Sequence, residues 1–191
     1  MNQGATDIAD PADMAAEIDK LRGEVAQLRK RIEELDGLAH QDSLIALPNR
    51  RGFLRELDRL IARVQRYQVP AAMLFVDLDG LKMINDSFGH KAGDEALIEV
   101  AALLERGVRR SDVVARIGGD EFGILLENSD EPRARETARR LTDLIGGSGF
   151  DHEGDSLPLS VAIGVTMIGE LDSAADVMAR ADEEMYRQKA A

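Results

Sequence analysis

The sequence predicts an α/β (α+β) fold, a single domain on a mixed central sheet preceded by a parallel, dimeric coiled-coil helix. Three observations predict it. Apolar residues from Ile18 to Leu35 recur at alternating steps of three and four. Downstream, helical apolar periods alternate with short apolar runs of strand length. The chain's 191 residues, 44% of them hydrophobic, suffice for one sizeable core and not for two.

The coil comes first. Asp10 suits an N-cap, Pro11 the first helical position and Asp13 the positive end of the helix dipole. Ile18, Val25 and Ile32 occupy the a positions, and Leu21, Leu28 and Leu35 the d positions. β-Branched a residues with Leu at d favour a parallel two-stranded coil. In this register Glu17, Glu24 and Arg31 at g face Arg22, Arg29 and Asp36 at the partner's e positions, so every pair has opposite sign. About three heptads, interrupted by Gly23 and Gly37, make a short coil that needs help from the domain. The competing reading is an amphipathic helix folded back over its own domain. Residues 1–9 show no periodicity and are expected to be a disordered tail; 10–41 form the coil and 42–191 the domain.

Within the domain, Leu47-Pro48-Asn49-Arg50 breaks the chain before a helix bearing Phe53, Leu57, Leu60, Ile61 and Val64. A strand is expected over Ala71–Val76, and a helix from about Gly93 with Ala96, Leu97, Val100, Leu103 and Leu104 on one face. Val113–Ile117 and Phe122–Leu126 flank Gly118-Gly119-Asp120-Glu121 and read as a hairpin. A helix over Glu131–Ile145, a strand over Leu159–Met167 and a helix over Ala174–Lys189 follow.

Composition narrows the function. A net charge of −12 argues against nonspecific nucleic-acid binding, which depends on clustered Lys and Arg. The chain has no Cys, hence no disulfide and no thiolate metal site. It has no apolar run of the roughly 18–20 residues that span a bilayer and no signal-peptide pattern. The expectation is a soluble, cytoplasmic protein that binds neither nucleic acid nor membrane.

Two acidic clusters carry the chemistry. Asp77-Leu78-Asp79 ends the first strand and runs on through Lys82, Asn85-Asp86, Gly89-His90 and Gly93-Asp94. Carboxylates at a strand's C-terminal end can hold Mg²⁺ against a substrate phosphate; equally, such aspartates cap helices and turns. The second cluster, Asp120-Glu121, puts two like charges at a hairpin tip, where a nearby cation relieves their repulsion. If the hairpin pairs beside the first strand, Asp77 and Asp120 can meet on one edge of the sheet and share a divalent ion.

Gly118-Gly119-Asp120-Glu121-Phe122 resembles the signature of the GGDEF family of diguanylate cyclases. Asp42 to Arg50 resembles the family's D-x-L-T-G-L-P-N-R segment, Asp77 to Asp94 its D-x-D-x-F-K-x-x-N-D-x-x-G-H-x-x-G-D block, and Ala181-Asp182 with Tyr186 and Lys189 its final A-D-x-x-x-Y-x-x-K helix. The resemblance implies a nucleotidyl-cyclase-like domain that condenses two GTP into cyclic di-GMP as a homodimer with Mg²⁺ or Mn²⁺. It implies metal ligation by Asp77, Asp120 and the Leu78 carbonyl, and a catalytic role for Glu121 with Asp120, activating the attacking hydroxyl. It assigns Asn85 and Asp94 to the guanine edge, His90 to an adjoining position, and Lys82 and Lys189 to the triphosphate. Arg109 and Asp112 match an R-x-x-D motif that binds product and restrains the enzyme, with Arg140 in support.

The sequence departs from the pattern at Ile45 and Ala46, where Thr and Gly are usual, and at Leu81, usually Phe. It ends at Ala191, before the position where the family often carries an arginine on the triphosphate, so weaker GTP binding is expected. Two other readings compete: a catalytically silent cyclic di-GMP receptor using Arg109 and Asp112, and a structural dimerisation module.

Overall fold

The computed structural model describes residues 11–190; the expected tail and the N-cap Asp10 lie outside them. The chain divides into two units, residues 1–39 and 40–191. In the first, helix α1 (Pro11–His40) runs for 30 residues. Along it Ile18, Leu21, Val25, Leu28 and Ile32 are 47–64% exposed, a continuous apolar seam on an otherwise polar helix. The side chains of Glu17, Leu35, Asp36 and Gly37 lie outside the described residues. No helix among the described residues is long and apolar enough to cross a membrane.

The second unit begins with α2 (Arg50–Tyr67), capped by the Asn49 side chain, which accepts from the amides of Arg51 and Gly52. Its apolar stripe, Phe53, Leu57, Leu60, Ile61 and Val64, is buried. Then follow β1 (Ala72–Leu78), α3 (Leu81–Phe88), α4 (His90–Gly107), β2 (Val113–Arg116), β3 (Glu121–Leu126) and α5 (Glu131–Gly146). A small hairpin, β4 (Gly149–His152) and β5 (Asp155–Pro158), precedes β6 (Val161–Met167) and α6 (Ala174–Lys189). A reciprocal capping box between Ser173 and Asp176 starts α6.

The four-stranded sheet runs β2-β3-β1-β6, and every pairing is antiparallel. The expected mixed sheet is therefore corrected. Alternation of helix and strand suggested parallel crossovers, but β1 is flanked by the return strand of a hairpin and by β6, both running against it. Because both faces are covered, β1 is buried along almost its whole length. Leu74, Val76 and Leu78 face the core shared with α4 and α5, whereas Met73 and Phe75 face that of α2 and α6.

Two glycines set interlayer distances. A Cβ on Gly123 would stand 2.6 Å from the Phe53 ring, and one on Gly164 would stand 2.2 Å from the Ala181 carbonyl oxygen and 2.3 Å from the Met185 amide of α6. At Gly164 the α6 backbone itself thus lies closer to the sheet than any side chain there permits, whereas Gly123 makes room for the Phe53 ring of α2.

Several local readings differ from expectation. Lys82 to Asp86 lie on a separate helix, α3; the next helix starts at His90 rather than Gly93; and β4–β5 was not foreseen. β6 begins at Val161, two residues after its expected start.

Candidate active site

Register places the acids. In the β1–β3 pairing Asp77 stands opposite Glu121, and directly paired residues share a face of the sheet. One step on, the Leu78 amide donates to the Asp120 carbonyl at 2.9 Å, and the Asp79 amide donates to the Ser160 carbonyl at 2.9 Å. The carboxylates thus gather at the end of three adjacent strands. Since β1 is an interior strand, this is an end of the sheet and not the edge that the sequence suggested.

The hairpin tip is tightly folded. The amides of Ile117 and Gly118 both donate to the Glu121 carbonyl, at 2.9 and 3.2 Å. A Cβ on Gly118 would stand 2.1 Å from Glu121 Oε2, so the glycine leaves room for the carboxylate to fold over the turn.

Crowding shows in the electrostatics. Burial pushes the Glu121 carboxyl above its ordinary pKa, and Asp120, Asp77 and Asp182 push it further against a smaller opposing effect of Arg50. Burial also raises Asp77, with Asp120 and Asp79 adding to it, against the hydrogen bond and charge of Lys189. The Lys189 ammonium contacts Asp77 and lies 3.3 Å from Asp79. Partial burial works against its charge, but these two partners outweigh it and hold the ammonium pKa above normal. Ser160 Oγ donates to Asp79 at 3.0 Å. Lys189, expected on a triphosphate, is here the counter-charge of the first acidic cluster.

Among the described residues, no group of three or more Asp, Glu or His side chains converges to hold a metal unaided. Hard carboxylate oxygens at Asp77 and Asp120, whose backbones the Leu78 amide links, nevertheless suit Mg²⁺, which commonly takes one or two carboxylates and completes its shell with water and substrate phosphate. The raised pKa values of Asp77 and Glu121 register the same demand for positive charge.

A second constellation lies at the α3–α4 corner, which leaves the same end of β1. Gly89, at φ 86°, turns the chain, and its amide donates to the Asn85 carbonyl at 2.9 Å. A Cβ on Gly93 would stand 2.2 Å from Asn85 Oδ1, so Asn85 rests directly on the backbone of α4. His90 and Asp94 are exposed on the first turns of α4, and Lys82 is exposed on α3. Leu81, in place of Phe, packs half-buried against the core.

The third constellation is apart. Val113 pairs with Leu125 while Arg116 pairs with Phe122, so Asp112 lies at the opposite end of β2 from Asp120 and Glu121. Asp112 closes its own turn: Oδ2 accepts the Arg109 amide at 2.9 Å, and its own amide donates to the Arg109 carbonyl at 2.9 Å. The Arg109 and Arg140 side chains are exposed, and no hydrogen bond or ion pair among the described residues joins Arg140 to this turn.

Sequence reasoning gave no role to three neighbours of the acids. Arg116 joins the hairpin to Asp42, and Arg50 donates to the Ile117 carbonyl at 3.4 Å. A cleft of about 560 Å³ opens beside Glu121, lined by Arg50, Leu54, Phe75, Met178 and Asp182. Arg50 and Asp182 lie in segments already singled out, and only the folded chain brings them to Glu121.

The Diguanylate cyclase, GGDEF domain family matches residues 39–191. Probable diguanylate cyclase DgcE of Escherichia coli (strain K12) is 38% identical over 167 residues, 87% of this chain and 15% of its own length. Response regulator PleD of Caulobacter vibrioides is 37% identical over 166 residues, 85% of this chain and 37% of its own length. The chain thus spans well under half of these relatives. Among solved structures, the coiled coil and GGDEF domain of DgcB from Caulobacter crescentus, in complex with c-di-GMP, superposes with a TM-score of 0.83 at 26% identity, covering 93% of this chain and 94% of that one. The GGDEF domain of TpbB (YfiN) from Pseudomonas aeruginosa gives 0.75 at 35% identity, over 79% and 89%.

Proposed function

The chain belongs to the GGDEF domain family of diguanylate cyclases, and from that membership we propose that it condenses two GTP into cyclic di-GMP with release of two pyrophosphates. The observation that carries the proposal is the register of β1 against β3, which sets Asp77 opposite Glu121 with Asp120 beside them. In each half-reaction a ribose 3′-hydroxyl attacks the α-phosphorus of the other GTP. A new P–O bond forms, the α–β phosphoanhydride bond breaks, and pyrophosphate leaves with the electron pair.

Glu121 takes the role of accepting the hydroxyl proton. Burial and neighbouring acids have already made its carboxylate more basic than a free one. Asp77, Asp120 and the Leu78 carbonyl would hold Mg²⁺ or Mn²⁺, which when bound neutralises charge on the phosphates. Lys189 is within reach to exchange Asp77 and Asp79 for a triphosphate, and Lys82 supports it. Asn85 and Asp94, with His90 adjoining, read the guanine edge.

Two bonds must form between two nucleotides, so two domains have to face each other. The exposed seam of α1 supports a parallel coiled coil, residues 10–41, that raises the local concentration of the second domain, residues 42–191. Arg109 and Asp112, with Arg140, would bind accumulated product away from the acids and restrain turnover. A catalytically silent receptor is the weaker reading, because both signature acids are present at the strand ends.

The test is incubation of the purified chain with GTP and Mg²⁺, product identified by mass, with ATP as control. Cyclic di-GMP is expected, and Asn85→Ala and Asp94→Ala should erode the preference for GTP. No cyclic dinucleotide at any protein concentration would refute the proposal.

A further inference from the structure

The α3–α4 corner has a brace that the sequence motifs do not contain. Glu153 and Gly154, at φ 54° and 96°, form the two-residue turn that closes β4 on β5, and alternation along β4 buries Phe150 and His152. His152 is only 7% exposed. Its Nδ1 lies 2.6 Å from Glu95 Oε2; because a carboxylate only accepts, Nδ1 carries the proton and donates. The ring also meets Phe88 edge-on, centroids 6.3 Å apart. Phe88 is three residues after Asn85 on α3, and Glu95 is next to Asp94 on α4. One imidazole therefore touches both helices that bear the proposed base-reading side chains.

The spacing it spans has little slack. Asn85 already rests on Gly93, so a small change in the separation of α3 and α4 alters where Asn85 and Asp94 present their polar atoms relative to each other. On the far side of Glu95, Lys91 lies 3.7 Å away and is exposed, a weaker tether.

We propose that His152 is a positioning residue for base selectivity: held between Phe88 and Glu95, it fixes the separation of α3 and α4 so that Asn85 and Asp94 together fit guanine. The inference rests on the proposed function, deepening its account of the substrate site. Without the ring, Glu95 loses its donor in a half-buried niche and the corner can relax.

The test is calorimetric titration of the full chain with 3′-deoxy-GTP and 3′-deoxy-ATP, which lack the attacking hydroxyl and report binding without turnover. His152→Ala should weaken 3′-deoxy-GTP about fivefold or more, the scale of one typical net hydrogen bond. Binding of 3′-deoxy-ATP should barely change. His152→Asn, whose amide N–H can stand where Nδ1–H stands, should recover most of the difference. If His152→Ala fails to fold, Phe88→Leu removes the other side of the brace and should give the same guanine-selective loss. Equal losses for both nucleotides, unaltered 3′-deoxy-GTP affinity, or an Asn variant no better than Ala would overturn the role of His152. A wild-type chain with no preference for 3′-deoxy-GTP would instead refute the guanine-site reading itself.

Discussion

The guanidinium of Arg116 lies 3.3 Å from the carboxylate of Asp42 and 2.8 Å from the carbonyl of Gly119, tying the tip of the acidic hairpin to the segment that follows α1. Asp42 is fixed in turn, its Oδ1 accepting the amides of Leu44 and Ile45 at 2.9 and 3.0 Å, while the Arg116 amide donates to the Pro48 carbonyl. Each partner's side chain is only 16% exposed. Removing either leaves a largely desolvated charge behind. Asp42→Asn and Arg116→Met should each reduce turnover about tenfold, and the double variant should be little worse than either. Denaturant unfolding of the four proteins should give a coupling within the roughly 0.5–3 kcal/mol of contacting pairs; additive losses would show that the bridge carries no shared energy.

Glu121 stands among like charges, and its substitution should separate activity from stability. Glu121→Gln preserves shape while removing the proton acceptor, so product formation should fall by about 10²-fold or more, the scale of a lost general base. The same change should raise Tm in metal-free buffer near neutral pH. A carboxyl whose pKa is higher folded than unfolded costs stability once ionised, and the amide removes that cost. Asp120→Asn should likewise abolish product formation with the fold intact. A lower Tm for Glu121→Gln, seen by thermal melting with chelator, would contradict the electrostatic account.

An opposite sign holds at Asp172. Arg180 grips it with two nitrogens, at 2.8 and 2.6 Å, and the Gly169 amide adds a third donor at 2.7 Å. These bonds, the Arg180 contact first, hold the carboxyl below its usual 3.8. The resulting stability is complete above that value and is lost as pH falls through the lower, folded one. Urea midpoints between pH 5 and pH 2.5 should therefore fall less steeply for Asp172→Asn than for wild type. Parallel curves would show that the pair contributes nothing through protonation.

The seam of α1 makes a concentration prediction. Val25→Asp with Leu28→Asp sets charges on the two central seam positions, where desolvation and like-charge repulsion oppose pairing. Specific activity should then rise steeply with protein concentration. Flat activity from nanomolar to micromolar protein would mean that the coil does not bring the domains together.

At the remote turn, Arg109→Ala should relieve inhibition by added cyclic di-GMP without lowering the initial rate. A lost bidentate arginine contact is worth about 1–3 kcal/mol, roughly five- to hundredfold in the inhibition constant. Equal constants in wild type and variant would reduce the motif to a self-closed turn. A slower initial rate would mean instead that it props the hairpin.

Most helices were legible because their apolar residues repeat at about 3.6 residues on one buried face, and the interior strands because they are short continuous apolar runs buried on both faces. The exceptions lack that signal. Helix α3 buries only Ile84 among eight residues, and β4–β5 buries Phe150 beside a histidine, so neither shows an apolar period. The sheet's antiparallel order depends on pairings between strands far apart in sequence, which no local pattern encodes. At the site, the residue types stood in recognisable motifs. Their partnerships, Asp77 with Glu121, Lys189 with Asp77, Arg116 with Asp42 and His152 with Glu95, join residues 44 to 112 positions apart. Ile45 illustrates the limit: a departure at a position where Thr is usual, it is buried in the core and takes up apolar packing there.

Gly164 extends the argument beyond the acids. It pairs with Phe75 midway along β6, the outer strand of the sheet, and carries α6 on bare backbone. A helix bearing directly on a strand has no compliant layer of side chains to absorb an error, so even a methyl group at 164 is passed on as a translation of the whole helix. Lys189 lies four residues beyond Met185, about 6 Å along the axis, and travels with it, away from Asp77 and Asp79. The mechanical tolerance of the reaction centre is thus set in part at the middle of an outer strand. A mutational screen scored on lost turnover will rank Gly164 beside the carboxylates, though it touches none of them.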